Sequence, residues 1–261
     1  MRAILFDMDG VLYNAETPID GAPEALAWVR SQRIPHLFVT NTTSRGRSVL
    51  AEKLARFGIA AAEDDILTPC EAAAEYMRGG GDVALFVPEK GRAAFAGLPC
   101  LRDDAEKGAR WVVVGDLGHG WDFRTLNRAF RLLRSNPESE LVALGMTRFW
   151  LAEDGLRLDA GPFVAALEYA TGRKAVVLGK PAAAFFRAAV AKLGVAAEET
   201  VMIGDDVITD IAGAQGAGLK GVLARTGKFR PADLDGAVKP DAVLDSVAAL
   251  PEWWERCLGR S

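Results

Sequence analysis

The sequence predicts an α/β protein: a Rossmann-like parallel sheet core with helices on both faces and an inserted α/β cap domain. Three observations carry that prediction. Strand-like apolar runs alternate with amphipathic helix-like runs from the first residues, the pattern of βαβ units and so of a parallel sheet. The alternation loosens after Gly79-Gly80-Gly81 and resumes near residue 175. Several strand-like runs also end in acidic, hydroxyl or lysine residues, as expected where a parallel sheet gathers a ligand at the carboxyl ends of its strands.

The first stretch reads as a strand, "AILFD" (3–7), then a helix, "APEALAWVRSQ" (22–32), with Pro23 in its first turn. "PHLFVTN" (35–41) is the next strand. "SRGRSVLAEKLARFG" follows as an amphipathic helix, with Ser44 suited to cap it and Gly58 to stop it. "EAAAEYMRGGGD" then runs into the triglycine, the best linker in the chain. The middle offers strands at "VALFV" (83–87), "WVVVGD" (111–116) and "LVALG" (141–145), and helices at "DFRTLNRAFRLLRS" (122–135) and "PFVAALEYATG". A hairpin is expected at "FWLAEDGLRL". From "AVVLGKP" (175–181) the opening pattern returns through "TVMIGDD" (200–206) and "GVLA" (221–224) to a closing helix, "PEWWERCL". The expected organisation is a core built from 1–79 and 175–261, with 80–174 inserted as the cap.

Composition narrows the function. The 261 residues are 50% hydrophobic and 25% charged, enough for a sizeable core, and carry a net charge of -4. No basic footprint points to nucleic acid, and no apolar run reaches the roughly 18 residues of a membrane span. Cys70, Cys100 and Cys257 fit neither a disulfide framework nor a zinc site. Met1-Arg2 runs straight into the first strand, so no signal peptide is expected and the expected setting is the cytoplasm.

The strand ends carry the chemistry. Asp7 and Asp9 stand two residues apart at the end of an extended run, a spacing that turns both toward one face. Two acids held so close shift each other's pKa. "FVTN" delivers Thr40 and Asn41, "VVLGK" delivers Lys180, and "VMIGDD" delivers Asp205 and Asp206, with Asp210 one helical turn on. Clustered carboxylates in a chain with two histidines favour a hard cation such as Mg²⁺. Lysine and Mg²⁺ together neutralise an anionic substrate, an inventory for phosphoryl transfer.

Bland roles stay open beside these. Asn41 also suits a helix cap, and Asp206 equally suits a helix N-terminus or a metal site. The loop "GDLGHGWDF" follows an apolar strand and offers Asp116, His119 and Trp121 to a small substrate. His119 could equally be plain surface there, and Trp121 or Trp150 plain cap core. His36 reads as structural.

"DMDGV", Thr40 in "VTNTT", Lys180 in "GKP" and "GDDVITD" resemble, in order, the four motifs of the haloacid dehalogenase superfamily. The insert between the second and third motifs resembles the subfamily with a large α/β cap at that point. "GPFVAALEYATG", "GDD…DIAGAQGAG" and "RTGKFRP" resemble more narrowly a branch that cleaves phosphoramidates and inorganic pyrophosphate. The resemblance implies that Asp7 is a nucleophile forming an aspartyl phosphate and also binds Mg²⁺. It implies that Asp9 protonates the leaving group and then activates water, and that its backbone carbonyl binds the metal beside Asp205. Asp206 and Asp210 would orient metal-bound waters. A departing halide needs no proton, so Asp9 favours a phosphatase over a dehalogenase. A small phosphorylated substrate and a homodimer are the expected partners. A phosphomutase uses the same nucleophile, and a non-catalytic phosphate-binding scaffold shares the fold. The scaffold is expected to lack Asp7, Asp9 or Lys180, and all three are present.

Overall fold

The computed structural model describes residues 1–43, 45–152 and 155–259. The chain forms two compact units, one from Met1–Thr40, Arg47–Leu67 and Lys180–Ser261, the other from Asn41–Gly46 and Thr68–Gly179. The first unit opens with β1 (Ala3–Asp7), the small hairpin β2 (Tyr13–Asn14) and β3 (Thr17–Pro18), and α1 (Ala22–Ser31). β4 (His36–Val39), α2 (Arg47–Arg56) and β5 (Ile66–Leu67) follow. The second unit runs through α3 (Pro69–Tyr76), β6 (Val83–Phe86), β7 (Trp111–Val114), α4 (Phe123–Ser135) and β8 (Glu140–Ala143). It continues with β9 (Phe149–Ala152), β10 (Gly155–Leu158), α5 (Ala160–Thr171) and β11 (Val176–Val177). The chain then returns to the first unit with α6 (Ala183–Leu193), β12 (Thr200–Gly204), β13 (Lys220–Ala224), β14 (Ala242–Leu244) and α7 (Leu250–Leu258).

The first unit is built on a parallel sheet of order β14-β13-β12-β1-β4-β5. β1 lies near its middle, with Ile4 opposite Val201 on one side and His36 on the other. All five β1 residues are buried, which explains why the strand reads as an unbroken apolar run rather than an alternation. Ile4, Phe6, Phe38, Leu54, Ile203 and Trp254 share its core. The second unit has its own parallel sheet, β11-β8-β7-β6, and its own core, with Val112, Val114, Leu132 and Val164. Asp122 starts α4 by accepting the Thr125 N–H at 2.7 Å.

Several expectations change. The strand leading to Lys180 pairs with the second unit's sheet, Val176 opposite Val142 and Val177 opposite Ala143, so the chain re-enters the first unit only at Lys180. Gly79-Gly80-Gly81 lies inside the second unit, together with the preceding α3. It is an anchored turn rather than a loose linker. The Trp111 indole N–H donates to the Gly80 carbonyl at 2.9 Å. Gly81 has φ +103° and lies so close to Arg110 that a Cβ would meet its side chain at 2.6 Å. β5 and β14 are too short for periodicity to reveal. The second helix begins at Arg47, and its expected cap, Ser44, lies outside the described residues. The expected hairpin forms as β9 and β10, and its tip at 153–154 also lies outside them.

Phe38 is fully buried with its ring centroid 6.1 Å from that of Phe6. Phe38→Ala is expected to cost about 3–5 kcal/mol in urea denaturation, and a loss below about 1 kcal/mol would deny it this place in the core.

Candidate active site

β1 and β12 are neighbours, so Asp7 at the end of one and Asp205 just beyond the other arrive side by side. Asp210 comes from Val207–Ala212, a π-helical turn that follows Asp205 and Asp206. Lys180 reaches the same point from the loop before α6 and donates from Nζ to Asp7 Oδ1 and to Asp210 Oδ1, each at 2.7 Å. All four side chains are buried. Asp7, Asp205 and Asp210 each present a carboxylate oxygen, all within 4.8 Å of one another.

Two glycines allow this crowding. A Cβ on Gly204 would fall 2.2 Å from Asp210 Cβ, and one on Gly10 (φ +91°) would fall 2.0 Å from Asp205 Oδ2. Side chains at either position would displace a carboxylate.

The electrostatics are uneven. Burial pushes Asp7 above the usual carboxylate range, and the Lys180 charge only partly opposes it. Burial likewise raises Asp210 to about 6 despite Lys180. Asp205 is raised by burial and by Asp210, against the N–H of Lys228 donating to its Oδ2 at 2.7 Å. Burial alone would lower Lys180, but Asp210 and Asp7 outweigh it and keep the ammonium charged. Three acids therefore share one lysine. Asp205 Oδ1 is buried with no hydrogen-bond partner. An all-oxygen donor set with an orphaned carboxylate oxygen fits a hard divalent cation such as Mg²⁺.

The expected residues distribute as follows. β1 stops at Asp7, so strand alternation does not set the Asp9 side chain, which is exposed beside the buried Asp7. Thr40 is buried just after β4, and its N–H donates to the Leu67 carbonyl at 3.2 Å. Asp206 takes the capping role of its two, accepting the N–H groups of Ile208 and Thr209 at 2.9 Å. Asp210, expected to orient metal-bound water, belongs to the carboxylate cluster and pairs with Lys180. His36 is structural, its Nδ1 2.9 Å from the Ile34 carbonyl oxygen and its ring against Phe6 and Phe38.

The second unit contains a cavity of about 250 Å³ lined by Asn41, Thr42, Asp116, Thr147, Trp150 and Asp159, among others. Of the loop residues, Asp116 reaches it. Trp121 does not line it: its ring is stacked between Phe86 (5.8 Å) and Phe163 (4.7 Å), with its N–H donating to the Gly115 carbonyl. Both faces that could stack on a substrate are taken, so Trp121 is a packing residue. His119 is exposed on the Gly118–Gly120 turn, away from the cavity lining. Sequence reasoning missed Trp150 and Asp159 as lining residues, and Thr226–Lys228 beside Asp205. The position of "RTGK" directly after the strand "GVLA" was the available signal for the last.

A haloacid dehalogenase-like hydrolase family model matches residues 4–98, and a HAD-hydrolase-like model matches 177–250. The chain is 35% identical over 254 residues to the Homo sapiens phospholysine phosphohistidine inorganic pyrophosphate phosphatase, covering 95% of this chain and 92% of that one. It is 39% identical over 236 residues to the Bos taurus haloacid dehalogenase-like hydrolase domain-containing protein 2, covering 90% and 88%. Among solved structures, the p-nitrophenyl phosphatase from Archaeoglobus fulgidus superposes with a TM-score of 0.86 at 29% identity, over 97% and 98% of the two chains.

The raised Asp210 carboxyl sets a pH dependence. With a folded-state value of about 6 against the ordinary 3.8, the metal-free folded protein holds a proton that the unfolded chain has released. Its stability in chelator should therefore fall as pH rises from about 4 to about 6, and Asp210→Asn should flatten that fall. Urea titrations of both proteins across this window check it; parallel curves would show no strain at Asp210.

Proposed function

The chain belongs to the haloacid dehalogenase-like hydrolases and is a phosphatase, and we propose that it cleaves a small phosphorylated molecule with Mg²⁺ and an aspartyl-phosphate intermediate on Asp7. The single observation behind this is the buried Asp7 carboxylate, held by Lys180 in one volume with Asp205 and Asp210. Lys180 fixes Oδ1, and Asp7 Oδ2 attacks phosphorus. The bond from phosphorus to the leaving group breaks, and Asp9 donates a proton to the departing atom. Asp9 then takes a proton from water, whose oxygen attacks the aspartyl phosphate to release inorganic phosphate and restore Asp7. The exposure of Asp9 suits a group that transfers a proton twice per cycle, once to the leaving group and once from water. Asp7, Asp205 and the Asp9 carbonyl would hold Mg²⁺, which supplies positive charge against the phosphoryl oxygens. Lys180 adds its own charge, and Thr40 is suited to hold a phosphoryl oxygen.

The second unit is in this proposal the cap that selects the leaving group. Asn41, Asp116, Asp159 and Trp150 offer its cavity hydrogen bonds, negative charge and an indole surface. Phosphate esters, inorganic pyrophosphate and phosphoramidates are the substrate classes to try, the last two supported by the human relative's name. No helix of the described residues is long and apolar enough to cross a membrane, and three cysteines that fit no disulfide framework support a cytoplasmic setting as part of this proposal.

Asp7→Asn should lower turnover by several orders of magnitude, since an amide is a far poorer nucleophile and ligand. Near wild-type hydrolysis by the pure variant would overturn the assignment. Asp9→Asn should cost about 10²–10⁴-fold on an alkyl phosphate and less in the first step with p-nitrophenyl phosphate, whose leaving group needs little protonation. Equal losses on both would remove Asp9 as the acid. Hydrolysis should also stop in excess chelator and return with Mg²⁺.

A further inference from the structure

The turn that leaves β13 touches the acidic site twice. Thr226 donates from Oγ1 to the Gly10 carbonyl at 2.5 Å, and the Lys228 N–H donates to Asp205 Oδ2 at 2.7 Å. Between them Gly227 sits at φ +58°. A Cβ there would fall 2.0 Å from Asp205 Oδ2 and 2.5 Å from Gly10 Cα. Gly10 crowds the same oxygen. The Asp205 carboxylate is therefore packed against two glycine backbones, with Oδ2 occupied and, among the described residues, Oδ1 left buried without a hydrogen-bond partner.

The sheet order explains how one turn reaches both places. β13, β12 and β1 are adjacent, so a loop starting at the end of β13 passes the end of β12, where Asp205 emerges, to reach the turn after β1. That path spans two strand spacings, about 10 Å. Thr226 is 216 residues from Gly10 in sequence. The Lys228 N–H, delivered by this turn, distinguishes the two Asp205 oxygens by bonding Oδ2.

We propose that Thr226, Gly227 and Lys228 form a positioning clasp for the metal site. The Lys228 N–H takes Oδ2 so that Oδ1 faces the cation, and the Thr226 hydroxyl fixes the Asp9–Gly10 turn against Asp205. In this proposal the clasp acts through Asp205 and the Asp9–Gly10 turn. The proposal rests on the cation site described above, so its test must separate the two.

The test measures Mn²⁺ binding to the full chain by electron paramagnetic resonance, without substrate. Thr226→Val removes the hydroxyl at nearly constant shape, Thr226→Ser restores it, and Gly227→Ala fills the wedge. Thr226→Val and Gly227→Ala should weaken Mn²⁺ binding about tenfold or more, with Thr226→Ser close to wild type. In steady state, Thr226→Val should raise the Mg²⁺ concentration needed for half-maximal rate and leave kcat at saturating Mg²⁺ largely intact. A purely structural role would lower melting temperature in chelator and leave Mn²⁺ affinity alone. Wild-type affinity in folded Thr226→Val, or a Thr226→Ser as weak as Thr226→Val, overturns the clasp. Absence of Mn²⁺ binding by the wild-type protein would instead overturn the cation site itself. Should Gly227→Ala fail to fold, the Thr226 pair decides alone.

Discussion

Three carboxylates and one ammonium group share a buried volume at adjacent strand ends, and their charges do not cancel. Two full carboxylate charges 4.8 Å apart repel by about 3 kcal/mol at an effective dielectric constant of about 20. Lys180 bonds two of the three acids, while Asp205 accepts from the backbone N–H of Lys228. The surrounding structure is shaped by this imbalance. Glycines at 10, 204 and 227 bring backbone close to the acids, and the strands beneath them are fully buried. A hard divalent cation would balance the excess negative charge of such a volume.

The run "GDD…D" shows how neighbouring acids acquire different tasks. Burial would raise Asp206, but the N–H groups of Thr209 and Ile208 and the Lys228 charge outweigh it and hold the carboxyl below its usual range. Asp210, four residues on and fully buried, is held well above that range. The two are linked, since the Asp206 N–H donates to Asp210 Oδ2 at 3.2 Å. One acid starts the helical turn, and the other meets the lysine. Pushing two acids apart in this way is how a single loop supplies both a scaffold and a reactive environment.

The parts legible in the sequence were those governed by local rules. β1, β4, β12 and β13 announced themselves as short apolar runs, and the residues just past them supplied Asp7, Thr40 and Asp205. Lys180 was legible as a site residue, but its strand was not placed correctly. Apolarity says that Val176 and Val177 pair with something, not which sheet receives them. The triglycine failed similarly, because composition cannot foresee a tryptophan thirty residues later anchoring it. Trp121 was misjudged because an indole suits a substrate and a core equally well. Phe86 and Phe163, distant in sequence, decided between them.

The separation of Asp7 and Lys180 by 173 residues bears on how the protein is made. A ribosome adding about 5–20 residues per second delivers Asp7 roughly ten to thirty-five seconds before its lysine. During that interval β1 has at most β4 beside it, with β5 beyond, because β12, which covers its other edge, emerges later still. A nascent chain thus carries Asp7 with no Lys180, Asp205 or Asp210, and the buried acidic cluster is completed only when the last third of the chain closes the sheet.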